Sequence, residues 1–163
     1  MNKNNIISMH YLKTTFDSFN INLPEYFYHG TNECFKDFDL KYMSKNYETS
    51  TLGIYFTQHL LPPPYSSTAE EYAENAVAKH GGKPYVYKCK IYTKKPLVLN
   101  SNGWYSSNTY IDKNRNDIIR WLQNDNYDSV VAYDFLETDI KWKDYILVTK
   151  NIDIIKIVEI ISL

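Results

Sequence analysis

Four short segments carry side chains whose chemistry fits together. They are Tyr28-His29-Gly30-Thr31, Gly53-Ile54-Tyr55-Phe56-Thr57, Ala69-Glu70-Glu71-Tyr72-Ala73 and Asp144-Tyr145-Ile146-Leu147-Val148. A histidine such as His29 can offer one ring nitrogen to a ligand hydroxyl while the protein holds the other. Gly30, with no Cβ, lets a ligand come close enough to use its backbone N–H and C=O, and Thr31 adds a short hydroxyl. Tyr55 and Tyr72 can sandwich a flat heteroaromatic ring, and their ring faces attract it further if it is cationic. A carboxylate such as Asp144 can accept a hydrogen bond from a sugar hydroxyl and stabilise positive charge developing at an anomeric carbon. Each segment alone has an ordinary structural explanation: a surface His at a turn, core tyrosines, a solvated strand-end Asp. Their joint order along the chain carries the weight.

Positioning these groups falls to short strands and two clear helices. Strands are predicted over Glu25-Tyr26-Phe27-Tyr28-His29, ending at Gly30, and over Gly53 to Thr57. Another runs from Tyr85 to Thr93, with Tyr85, Tyr87, Cys89 and Ile91 on one face and Lys88 and Lys90 on the other. Further strands are expected at Pro96-Leu97-Val98-Leu99, Tyr127 to Phe135, Asp144 to Thr149 and Ile152 to Ile161. The first helix follows Ser67, with Ser67 and Glu70 as a capping box. Ala69, Tyr72, Ala73, Ala76 and Val77 form its apolar face, and Gly81-Gly82 stops it. The second runs from about Asn116 to about Asn124, with Ile118, Trp121 and Leu122 facing inward. The stretch Leu61-Pro62-Pro63-Pro64-Tyr65-Ser66-Ser67 reads as a loop between strand and helix. Strands outnumber helices and do not alternate with them, which predicts an α+β fold. One domain is expected over residues 1–163, with residues 1–24 a candidate extension holding a helix between Asn5 and Phe19.

Together the segments resemble the His-Tyr-Glu class of ADP-ribosyltransferases, which includes the diphtheria-type toxins and the poly(ADP-ribose) polymerases. In that class a His-Gly-Thr/Ser motif comes first, then Gly-x-Tyr-Phe, then a helix with a second Tyr, then Glu-Tyr-Ile/Val-Val opening a late strand. The matches are His29-Gly30-Thr31, Gly53-Ile54-Tyr55-Phe56-Thr57, Ala69 to Ala73 and Asp144-Tyr145-Ile146-Leu147-Val148, and they span most of the chain. The Tyr85 to Thr93 strand and Pro96-Leu97-Val98-Leu99-Asn100 look like the small stand-alone bacterial and phage members.

The resemblance implies split mixed or antiparallel β-sheets with a few flanking helices. It also implies NAD as co-substrate and no metal. His29 would hydrogen-bond the adenosine ribose, the Gly30 backbone would clamp the nicotinamide amide, and Thr31 would support the ribose end. Gly53 belongs to the same binding motif, and Tyr55 and Tyr72 would hold the nicotinamide ring. Asp144 would bind the 2′-hydroxyl of the nicotinamide ribose and stabilise the oxocarbenium-like state. Two features depart from the class pattern. The proline-bearing loop between Tyr55 and Tyr72 is longer, and Asp144 stands one methylene short of the usual Glu, where geometry tolerates little misplacement. Glu137 and Glu159 are alternative acids.

Composition narrows the partners. The 163 residues carry a formal charge of −1, so no general basic field draws the chain to nucleic acid or to an anionic membrane. Local patches remain, at Lys41 and Lys45 with Tyr42 and Tyr47, and at Lys83, Lys88 and Lys90. No apolar run is long enough to span a bilayer and no secretory signal is read, so a cytoplasmic location, or delivery into a host cytoplasm, is expected. Two cysteines, Cys34 and Cys89, without a CxxC spacing suit a reducing compartment. His10, His29, His59 and His80 are scattered and show no metal-ligand spacing, and Gly81-Gly82 is not a phosphate-binding loop. The expected acceptor of ADP-ribose is a macromolecule, protein or nucleic acid. A toxin or phage effector with a neutralising antitoxin is the matching analogy. Two alternatives stay open: an NAD glycohydrolase, with water as acceptor, and a non-catalytic NAD-binding module.

Overall fold

The computed structural model describes residues 23–42, 52–60, 68–100, 111–133 and 145–163. Seven strands form one mixed sheet: β1 (Phe27–Thr31), β2 (Ile54–Thr57), β3 (Tyr85–Ile91), β4 (Pro96–Asn100), β5 (Ser129–Tyr133), β6 (Tyr145–Thr149) and β7 (Ile155–Ser162). Their order across the sheet is β4-β5-β6-β2-β1-β3-β7. Only β4 and β5 run parallel. A parallel pair needs a crossover, and α2 (Arg115–Asp125) lies on that connection. The other long helix, α1 (Ala69–His80), connects β2 to β3. The α+β class expected from the sequence therefore holds.

Strand position explains composition. In β6 every residue from Tyr145 to Thr149 is buried, because the strand sits inside the sheet with apolar layers on both faces. Tyr145 and Leu147 join Phe27, Ile54, Phe56, Tyr87 and Cys89 on one face. Ile146 and Val148 join Leu52, Leu97, Leu99 and Val130 on the other, beneath Ile118, Trp121 and Leu122 of α2. Tyr28 and Thr57 sit opposite each other and so share this second face, where α1 sets Ala69 and Ala73 on Val86. Both helices thus cover the same side of the sheet. β7 closes the edge beyond β3, and a bulge interrupts their pairing between Lys88 and Cys89.

Several boundaries move from their expected places. β1 extends through Gly30 to Thr31 instead of ending at Gly30, since Gly30 pairs with Val86 and Thr31 with Tyr85. The capping box is Thr68 with Glu71, not Ser67 with Glu70: the Thr68 hydroxyl accepts from Glu71 N–H, and the Glu71 carboxylate accepts from Thr68 N–H. The register shift follows from the buried stripe Ala69, Ala73, Ala76, which sets where the first turn must start. Gly81 ends α1 with φ 75°, as its sequence position implied. Residues 152–154 form a 3-10 turn before β7, because Asn151 accepts from Asp153 N–H and closes the chain locally. The candidate helix between Asn5 and Phe19, the triple-proline loop, Phe135, Glu137 and Asp144 lie outside the described residues, as do Lys45 and Tyr47.

Candidate functional site

The sheet is unevenly knit. Every residue of β1 from Phe27 to Thr31 has a partner in β3, and every residue of β2 has one in β6. Between β1 and β2 only one pair forms, Tyr28 with Thr57. Backbone groups of successive residues point to opposite strand edges. Gln58 N–H donates to Tyr145 O at 3.1 Å, so Phe56 and Gln58 face β6 while Tyr55 and Thr57 face β1. Tyr28 and Gly30 therefore face β2. Past Tyr28 the two strands separate, and the Gly30 N–H and C=O turn into the opening with no ladder partner on that side. This opening is the candidate site.

His29 bridges it. Its Nδ1 lies 2.8 Å from the Tyr55 carbonyl oxygen. A carbonyl only accepts, so Nδ1 carries the proton and donates. In the neutral ring Nε2 is then an acceptor, and no described residue takes it. Burial pushes the His29 pKa below its ordinary 6.5, while the bond to Tyr55 O pulls the other way without prevailing. The ring is thus neutral at pH 7. It keeps some accessible surface, but its surroundings are aromatic: Phe38 meets it edge-on at 5.4 Å and Phe56 at 5.6 Å between centroids. Phe38 is itself fixed by Phe35, and Phe35 stacks on Tyr87 at 4.2 Å. The Tyr87 hydroxyl donates to Phe35 O at 2.8 Å and accepts from Phe35 N–H, which locks the segment after β1 over the sheet. Sequence reasoning did not single out Phe35 and Phe38. Their three-residue spacing just after His-Gly-Thr is the signal that was there to read.

Gly30 has a second duty. A Cβ there would sit 1.9 Å from Ala69 O and 2.7 Å from Ala73 N. The residue lets α1, which carries Tyr72, lie directly on β1. The proline-bearing loop does not displace the helix, because Ala69 N–H and Glu70 N–H donate to His59 O and Leu60 O and root α1 at the end of β2. Tyr55 and Tyr72 are both half-buried. Tyr55 packs on the α2-covered cluster, and Tyr72 precedes the buried Ala73 on α1, so both lie on the helix-bearing side of the sheet. Gly53 is explained by packing: at φ 145° its missing Cβ would lie 2.5 Å from Thr149 O. Thr31 is buried, and its hydroxyl accepts from Glu33 N–H in the turn that ends β1.

The candidate acids fare unequally. Asp144 lies outside the described residues, but Tyr145, next after it, opens β6 opposite Gln58. Glu159 pairs across from Lys88 in the ladder between β3 and β7, away from the opening. Cys89 is buried, and burial pushes its thiol up to about 12, which removes it as a nucleophile. Among the described residues no three His, Cys, Asp or Glu side chains gather as a metal site. Nor is any described helix long and apolar enough to cross a membrane. No protein-family model, curated protein or solved structure matches the chain.

Proposed function

We propose that the chain is an NAD-dependent mono-ADP-ribosyltransferase whose dinucleotide site is the opening between β1 and β2, and that its sheet is the split sheet of that class. One observation carries the reading. The bond from His29 Nδ1 to Tyr55 O fixes the ring as a neutral acceptor beside the gap, toward which the Gly30 N–H and C=O turn without a ladder partner on that side. A carboxamide such as that of nicotinamide needs that donor–acceptor pair, and a ribose hydroxyl needs an acceptor such as Nε2. Tyr55 of β2 and Tyr72 of α1, both on the helix-bearing side of the sheet, would offer ring faces suited to a cationic pyridinium.

In the proposed reaction the C1′–N bond of the nicotinamide ribose breaks. The bonding electrons go to nicotinamide, which leaves neutral. Asp144 holds the 2′-hydroxyl and stabilises the cationic sugar carbon. A nucleophilic atom of a macromolecular acceptor, protein or nucleic acid, then bonds to C1′ and loses its proton to solvent. A cytoplasmic setting suits the two free cysteines, Cys34 and Cys89.

The test is incubation with NAD labelled in its adenylate part and a total lysate. Nuclease removes the label if the acceptor is nucleic acid, and protease removes it if the acceptor is protein. Asp144→Ala is expected to abolish labelling, and Asp144→Glu to retain it. Full labelling by Asp144→Ala would remove Asp144 from the mechanism.

A further inference from the structure

β7 (Ile155–Ser162) ends the strand order, and among the described residues no strand pairs with its outer edge. An open edge is a template for another strand, so folded proteins blunt such edges with short strands, prolines, charges or bulges. β4, at the other end of the order, has five residues and opens with Pro96. β7 has eight, without Pro or Gly, and its Val158 and Ile160 are exposed. Its inner side is fixed by the bonds from Tyr92 N–H to Ile154 O and from Leu163 N–H to Pro84 O. Alternation from those two ends turns the backbone groups of Ile155, Ile157, Ile160 and Ser162 outward, where no described residue pairs with them.

Two guards are present on β7, charge and a bulge, but their arrangement favours one neighbour. Lys156 and Glu159, three apart, would lie on opposite faces of a regular strand. Val158 is the extra residue of the bulge, so Lys156 sits opposite Lys90 and Glu159 opposite Lys88, two positions apart on β3 and therefore on one face. Ile155 and Ile160, opposite Ile91 and Tyr87, share the other face in the same way. The edge thereby becomes self-complementary. A two-fold axis perpendicular to the sheet reverses strand direction and preserves faces. Centred on the bulge, it sets Lys156 against Glu159 of a second copy, and Ile155 against Ile160, each twice. Sliding the copies until Lys156 meets Lys156, or Glu159 meets Glu159, brings like charges together. Both side chains are exposed, and among the described residues neither is in an ion pair.

We infer that β7 is a homodimer interface, at which two copies of the chain pair antiparallel, edge to edge, in the register that joins Lys156 to Glu159. The inference is independent of the dinucleotide reading. The outward backbone of Ile155 and Ile160 supplies the hydrogen bonds, and the two ion pairs select the register.

The test uses the full chain. Sedimentation equilibrium should show reversible dimers. Amide exchange followed by NMR should slow at Ile155 and Ile160 as concentration rises, but not at Lys156, whose N–H already faces β3. Lys156→Glu should weaken the dimer about tenfold without lowering the Tm of the monomer, since the new carboxylate sits opposite Lys90. Glu159→Lys should weaken it as much, and the double reversal should return affinity to within about threefold of wild type. Glu159→Lys also sets two lysines opposite each other within the chain, so Lys156→Glu carries the test if that variant unfolds. A chain that stays monomeric up to about 1 mM overturns the inference. So does a dimer in which Ile155 and Ile160 exchange as fast as in the monomer, or one that Lys156→Glu leaves as tight as before. Single reversals without rescue by the double reversal overturn the register, and the inference with it.

Discussion

The two flanks of β2 differ sharply. Toward β6 each of its residues is paired, from Ile54 with Thr149 to Thr57 with Ile146, and the side chains of β6 are buried on both faces. Toward β1 there is one pair, and then the strands part. The first flank spends its backbone hydrogen bonds on the sheet and has none to offer a ligand. The second leaves donors and acceptors aimed into a gap, where a histidine ring replaces the missing strand contact. Incomplete pairing inside an otherwise well-knit sheet is what makes this opening the candidate site, and Gly53 and Gly30 mark the contrast. Gly53 allows close contact of backbone with backbone at the paired flank, whereas Gly30 lets a helix close over the open one.

The largest expected effect comes from closing that approach. Gly30→Ala puts a methyl group into the α1 backbone and should cost about 3 kcal/mol or more, read as a lowered midpoint in urea unfolding. NAD binding should be lost with it, because α1 and Tyr72 must shift.

The paired half should behave differently. Asp128 lies at the corner joining β3, β4 and β5, and accepts from the Thr93 hydroxyl at 2.5 Å, Lys94 N–H at 2.6 Å, Lys95 N–H at 3.1 Å and the Ser129 hydroxyl at 3.0 Å. Burial pushes its carboxyl up, but these bonds outweigh it and hold the pKa below the usual value of 3.8. Asp128→Ala should therefore cost about 2 kcal/mol of stability. The fraction of protein still folded should bind NAD normally, and loss of affinity in it would blur the distinction between the two flanks.

His29→Ala should invert that pattern. Affinity for NAD should fall at least about tenfold, corresponding to the loss of one good hydrogen bond of about 1.4 kcal/mol, while the change in Tm stays smaller than for Asp128→Ala.

The two regions also separate by pH. A histidine with a lowered folded-state pKa resists protonation more than the unfolded chain does. Its share of stability is complete above about pH 6.5 and is lost as pH falls from there toward the folded value. Asp128 contributes fully above its ordinary 3.8 and loses its share only as pH falls below that. NAD affinity should accordingly hold from pH 8 to somewhat below pH 6.5 and then weaken, as Nε2 becomes protonated, well before the paired half is affected. The smallest effect is at the helix cap: Thr68→Ala should cost about 1 kcal/mol, visible as earlier hydrogen exchange in the first turn of α1.

The sequence made some of this legible and hid the rest for physical reasons. The α1 stripe Ala69, Ala73, Ala76 and the alternation of Tyr85, Tyr87 and Cys89 are periodic, so element type could be read directly. The motif residues His29, Gly30 and Tyr55 could be named, but not the bond that joins the first to the third across 26 positions. Pairing between distant strands leaves no local pattern, so the gap between β1 and β2 could not be anticipated.

The most direct measurement is nitrogen NMR of the His29 ring in histidine-labelled protein during titration with NAD. The account predicts a protonated Nδ1 and an unprotonated Nε2 in the free protein. On saturation the Nε2 resonance should move as it accepts a ligand hydroxyl, while Nδ1 stays on Tyr55 O. A free-state Nε2 that already bears the proton, or an Nε2 resonance unmoved by saturating NAD, would contradict it.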